Sequence, residues 1–190
     1  MSGGHGHGAM EGSNKSIALL ISVLALFLAL SETLGKSAQT DAISQNVEAS
    51  NLWAFFQAKT IRMTVVRTAG EAAELQRATL PEGVGADVFR KRVDDWTKTA
   101  ARWDSEPETG EGRKELAARA KEAEKKRDTS LARYHHYEIG SAAFQIGIVL
   151  ASAMLITGIA ALAWIAGGLG IAGLVMVGIG LFAPHAVHLI

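Results

Sequence analysis

The sequence predicts an all-α membrane protein: three transmembrane helices with an elongated cytoplasmic helical hairpin between spans 1 and 2. Three observations predict it. The 19 Lys+Arg and 19 Asp+Glu cancel in number but are segregated along the chain. From Ile139 to Ile190 there is no Asp, Glu, Lys or Arg, whereas all basic residues except Lys15 and Lys36 lie between Ser37 and Glu138. Such sorting into apolar and charged blocks is what a bilayer requires and what a soluble domain avoids. Finally, the charged middle is poor in proline and rich in helix formers.

Residues 1–14 form a Gly/His tail, expected to be disordered. The first apolar run, Ser16–Leu30, extends to about residue 35. A span over 15–35 meets the ~20 residues needed to cross ~30 Å of hydrocarbon. Ala29-Leu30-Ser31 would also tolerate signal-peptide cleavage. The helical pattern, however, runs on through Glu32 and Lys36 without a break. The second and third spans read as 139–166 and 169–190, with Gly167-Gly168 as a tight turn and Pro184 interrupting the last run. A single helix over both would exceed any bilayer. Basic residues flank the middle segment (Lys36, Lys125, Lys126, Arg127, Arg133), while the opposite side offers Lys15 alone. The positive-inside rule then places the middle segment and the C-terminus in the cytoplasm.

The middle, 36–138, reads as a coiled-coil-like stalk with helices at about 36–80, 87–104 and 113–138. In the first, Ile43, Val47, Ala54, Ala58, Ile61 and Val65 recur at helical spacing, and Trp53, Phe56, Thr60 and Met63 mark a second face. Leu80–Gly85, with Pro81, breaks the chain, and Asp87 is expected to cap the next helix. Trp96 and Trp103 share a face of that helix. Ser105–Gly112 forms a second break, after which KELAARAKEAEKKRD is strongly helix-forming. Counting equal distances from the membrane sets Trp53, Phe55 and Phe56 against Leu116 and the alanines around Ala120, large against small.

Several residues invite a chemical reading. Glu32 is an ionisable group within a span, a candidate for ion or proton handling. Lys36, four residues on, makes an interfacial ion pair the plainer account. Gly168–Gly173 matches G-x-G-x-x-G but follows no strand, so it reads as helix packing, with Gly170, Gly173 and Gly180 on one face. Tyr134-His135-His136-Tyr137 reads as an interfacial anchor. Its adjacent histidines point about 100° apart on a helix (~3.6 residues per turn), which is unsuited to shared metal binding. His185 and His188 form at best a weak metal pair, and His5 and His7 lie in the tail. With no cysteine, there are no thiolate ligands or nucleophiles. No catalytic constellation, cofactor motif or resident metal site is found. The chain is expected not to be an enzyme, and its zero net charge gives no reason to expect nucleic acid as a partner.

Ser50–Ile61 reads SNLWAFFQAKTI. It resembles the W-A-[FY]-[FY]-Q-A-K-[ST]-I signature of an uncharacterised bacterial membrane family, domain of unknown function 4337. Gly35–Ala42 resembles that family's juxtamembrane G-K-x-x-x-x-x-A segment. The resemblance implies a bacterial inner membrane and no particular activity.

The expected function is therefore structural. The protein should be a homo-oligomeric scaffold in the lipid bilayer, assembled through Trp53, Phe55, Phe56, Gln57, Lys59, Trp96 and Trp103, because these apolar groups exceed what one thin hairpin buries. Gln57 and Lys59 are read as facing away from the seam, where they could bond a second copy. The alternatives are a channel or transport component, with Glu32 ringing a pore, and an accessory subunit of a larger membrane complex.

Overall fold

The computed structural model describes residues 7–79, 81 and 83–186. These form four helices and no strands: α1 (His7–Arg77), α2 (Val84–Asp104), α3 (Arg113–Thr157) and α4 (Ala160–Phe182). Helix thus begins at His7, within the expected tail; His5 and His188 lie outside the described residues. The chain divides into two compact units. One contains the chain up to Ile43 and from Arg127 onward; the other is Ser44–Lys126.

In the first unit, α1, α3 and α4 pack together through small residues. Ser31 Oγ donates to the Tyr137 carbonyl at 2.9 Å in a buried contact, and Phe27 stacks on Phe144 with centroids 6.0 Å apart. Ile17, Ala151 and Ala166 close the other end, with Leu20, Ile21 and Met154 around them. The buried face of α4 is Ala166, Gly170, Gly173 and Gly180. A Cβ at Gly170 would sit 2.7 Å from Leu24, one at Gly173 2.7 Å from the Phe144 ring, and one at Gly180 2.8 Å from the Tyr137 ring. These glycines let large side chains of α1 and α3 reach the α4 backbone.

The turn between the last two helices is not at Gly167-Gly168, which lie inside α4, but at Gly158-Ile159. Gly158 adopts φ +72°, the left-handed conformation that favours glycine. Its N–H caps the Met154 carbonyl at 2.9 Å. A glycine pair is a plausible breaker in water, but an apolar helix tolerates it. The third apolar helix also ends at Phe182, before Pro184, rather than running to Ile190. Three helices are long and apolar enough to cross a membrane. Only 17%, 28% and 22% of their most apolar windows is buried inside the fold. The rest of that apolar surface faces outward, a composition suited to lipid.

In the second unit, Ala49 and Leu52 of α1 pack against Leu116, Ala120 and Ala123 of α3, with Trp53 and Phe56 alongside. Beyond Phe56, α1 lies beside α2, where Val66, Gly70 and Glu74 face Val93, Trp96 and Ala100 across a groove. Helix α2 starts at Val84, so Asp87 is not its cap; it lies in the first turn and pairs with Arg90 at 3.4 Å.

The inward positions of α1 in this unit are Gln45, Ala49, Leu52, Phe56, Lys59, Met63, Val66, Gly70 and Ala73, alternating in steps of four and three. The aliphatic series read from the sequence is on the opposite side. Ile43 is 61% exposed, Val47 53%, Ile61 64% and Val65 62%. The face that packs sets small residues (Ala49, Gly70, Ala73), which permit close approach, among larger ones (Leu52, Phe56, Met63), which fill the seam.

Gly173→Ala should destabilise the first unit by about 1–3 kcal/mol through overpacking against Phe144. Gly178→Ala, where a Cβ meets nothing within 4 Å, should leave it unchanged or slightly stabilised. Thermal unfolding of the two variants in detergent checks this; equal melting temperatures would contradict it.

Candidate functional site

Two places concentrate polar and aromatic chemistry. The first is the segment Trp53–Ile61 in the second unit. Trp53 donates its indole N–H to Glu124 Oε1 at 2.8 Å and meets Phe56 edge-on, with centroids 5.3 Å apart. The Arg113 guanidinium lies over the Phe56 ring at 5.6 Å. Arg113 also donates to Asp104 from Nε at 3.1 Å and from Nη2 at 2.8 Å. Thr60 Oγ donates to the Phe56 carbonyl at 2.8 Å.

Lys59 is not turned outward. It is 7% exposed and lies 3.9 Å from Glu106 and 4.0 Å from Glu111, two carboxylates of the α2–α3 connection. Its ammonium also sits over the Phe55 ring at 5.4 Å. A buried ammonium needs such partners, and here the chain supplies them itself. Phe55 remains 40% exposed. Gln57, Ala54, Ala58 and Ile61 are exposed. The segment is therefore two-faced. Trp53, Phe56, Lys59 and Thr60 are accounted for by contacts within the chain, whereas Ala54, Gln57, Ala58 and Ile61 are not.

The α2–α3 connection is locked by residues the sequence reading did not single out. Glu115 accepts from Ser105 Oγ at 2.6 Å and from the Glu106 N–H at 3.1 Å. Gly112 lies under this crossing, and a Cβ there would collide with Ser105 and Glu106. Asp104 also pairs with Lys114 at 2.9 Å. Hydrogen bonding from Lys114, then from Arg113, holds the Asp104 carboxyl below its ordinary range. Ser105, then the Glu106 N–H, does the same for Glu115. The acidic residue at the start of α3 was visible in sequence, but its long-range partners were not. Trp96 lines the α1–α2 groove with Arg92 at 6.0 Å over its ring, while Trp103 is half-buried near the end of α2.

The second place is a groove of about 540 Å³ in the first unit, between α1 and α3. Glu32, Lys36 and Gln39 form one wall; Tyr134, Glu138 and Gln145 form the other. Glu32 does not pair with Lys36. It accepts a long hydrogen bond from Gln145 Nε2 at 3.4 Å, and the Lys36 ammonium forms no ion pair among the described residues. Tyr134 donates to Glu138 at 3.4 Å, and His135 lies 3.8 Å from the same carboxylate. Next to the groove, His136 is 1% exposed. Its Nε2 meets the Pro184 carbonyl at 3.1 Å, while its Nδ1 has no partner among the described residues. His136 thus pins the segment after α4, and His185 meets Thr129 at 3.1 Å. Among the described residues no group of three or more His, Asp or Glu could hold a metal ion.

The acid-sensitive part should be the α2–α3 connection. Both carboxyls are depressed in the folded state, so their stabilisation is complete above ordinary carboxyl values, 3.8 for Asp and 4.5 for Glu. It is lost as pH falls through the lower, folded values. Asp104→Asn should destabilise the fold at pH 7 by about 1 kcal/mol after allowing for partial exposure, and flatten the acid limb of the stability profile. A pH profile identical to that of the unaltered protein would contradict this.

Comparison with curated proteins gives no match, and neither does comparison with solved structures. A family does match over residues 13–183, which include every helix core and both places just described. The chain belongs to the family described as Domain of unknown function (DUF4337).

Proposed function

We propose that the protein is a structural homo-oligomeric scaffold of the bacterial inner membrane, with its middle unit and C-terminus in the cytoplasm. Assembly runs through the outward face of α1, in the manner of a coiled coil. One observation carries this reading: the exposed stripe of Ile43, Val47, Ala54, Ala58, Ile61 and Val65. Steps of four, seven, four, three and four keep these residues on one side of the helix. The stripe itself bears no charge. An isolated chain would leave it in water, and exposed apolar stripes mark interfaces.

A second copy is the occupant that the chemistry favours. Copies anchored in one membrane present the same stripe from the same side, so like residues meet at like heights. Ala54 and Ala58 allow close approach at the centre. Gln57 lies there too, with an amide that both donates and accepts. A polar residue at one seam position fixes register at some cost in stability. Trp53, Phe56 and Lys59 then serve the seam indirectly, by holding α1 against its own α3 and the α2–α3 connection.

In native-lipid particles the protein should show a single oligomeric mass. Ile61→Lys should reduce it toward one chain, and Gln57→Ala should broaden the distribution of sizes. Tryptophan fluorescence should stay unchanged in both variants, because the inner seam is untouched. A monomeric mass at every concentration, or an unchanged size for Ile61→Lys, would contradict the proposal.

A further inference from the structure

We propose that the groove between α1 and α3 in the first unit binds the headgroup of a phospholipid carrying both a phosphate and a primary amine. The inference rests on the reading of α1 and α3 as membrane spans. On that reading the groove lies where the apolar run Ser16–Leu30 gives way to polar sequence, the level of lipid headgroups.

The walls carry charges that the fold leaves without ion-pair partners across the groove. Glu32 and Lys36 are one helical turn apart, a spacing at which such a pair ordinarily closes. Here it stays open: Glu32 is held by the neutral amide of Gln145 at 3.4 Å, and Lys36 forms no ion pair among the described residues. Glu138 faces them from α3, with Tyr134 at 3.4 Å and His135 at 3.8 Å as its partners among the described residues. A zwitterion with its anionic oxygens on Lys36 and its ammonium on Glu32 and Glu138 matches this pattern. Small floor residues leave room for it, since Ser31 is buried by its bond to Tyr137 and Gly35 has no side chain. About 540 Å³ is within the range of small-molecule sites.

The charge set also gives selectivity. Two carboxylates against one ammonium disfavour an anionic headgroup that lacks an amine. A quaternary amine has no N–H to donate to either carboxylate, whereas a primary ammonium has three. The acyl chains would continue along exposed Leu30, Ile146 and Val149.

The test uses the full chain, delipidated in detergent and titrated with phosphatidylethanolamine, phosphatidylcholine or phosphatidylglycerol of identical acyl chains. Bound lipid is counted by native mass spectrometry. Phosphatidylethanolamine should bind about tenfold more tightly than either of the others, a difference of about 1.4 kcal/mol. Lys36→Met should weaken its binding, and Glu32→Gln with Glu138→Gln should erase its advantage over phosphatidylcholine. All variants should keep the melting temperature of the unaltered chain. Equal binding of the three lipids, or selectivity that survives both sets of substitutions, overturns the proposal. Binding of soluble glycerophosphoethanolamine as tight as that of the lipid overturns the lipid assignment. Alkaline carbonate extraction of native membranes separates the underlying premise. A chain released by carbonate refutes the spans, whereas a chain that stays membrane-bound without lipid selectivity refutes the groove alone.

Discussion

Everything else in this fold depends on how closely α1 can approach α3. In the second unit that approach is made by Ala49 and Leu52 against Leu116, Ala120 and Ala123. In the first it is made by Ser31 and Gly35 against Tyr137 and Gly140. Small residues bring the backbones near, and large ones then close the edges. Trp53 and Phe56 cover one contact, and Phe27 with Phe144 covers the other. The same device recurs on α4, where Gly170 and Gly173 accept Leu24 and Phe144. With no cysteine and no metal cluster among the described residues, this packing is the principal bond between helices.

Close approach on one side leaves α1 with a second, aliphatic side. Ile43, Val47, Ile61 and Val65 lie outside the inner seam and stay exposed. The helix is thus apolar on two opposed faces. The inner one combines small residues such as Ala49 with larger ones such as Leu52 and Met63. Lys59 lies on the inner face too, and its ammonium reaches Glu106, Glu111 and the Phe55 ring. A lysine at a buried position needs several partners at once, and they come from the connection that Glu115 and Gly112 hold in place.

Much of this was legible in the sequence. Charge segregation marked the apolar helices, because lipid and water impose opposite compositions over long stretches. Pro81 and the Ser105–Gly112 cluster marked the breaks near which α2 begins and ends. What failed was finer. Hydrophobicity favours long aliphatic series, so that of α1 stood out, although Ala49, Leu52 and Phe56 on the other side form the contact. The turn at Gly158 was hidden because Gly167-Gly168 looks more disruptive, yet of these three glycines Gly158 alone takes the left-handed conformation. Spacing alone paired Glu32 with Lys36 and left Lys59 unpartnered. Gln145 and Glu106, each far away in sequence, settle both, and no local pattern points to them.

The most direct test of the two-faced helix exploits the absence of cysteine. Single cysteines at Ile61, outward, and at Met63, inward and 3% exposed, can be oxidised in native membranes and read as disulfide-linked dimers. Ile61→Cys should cross-link between copies and Met63→Cys should not. Cross-linking at Met63 with none at Ile61 would contradict the account.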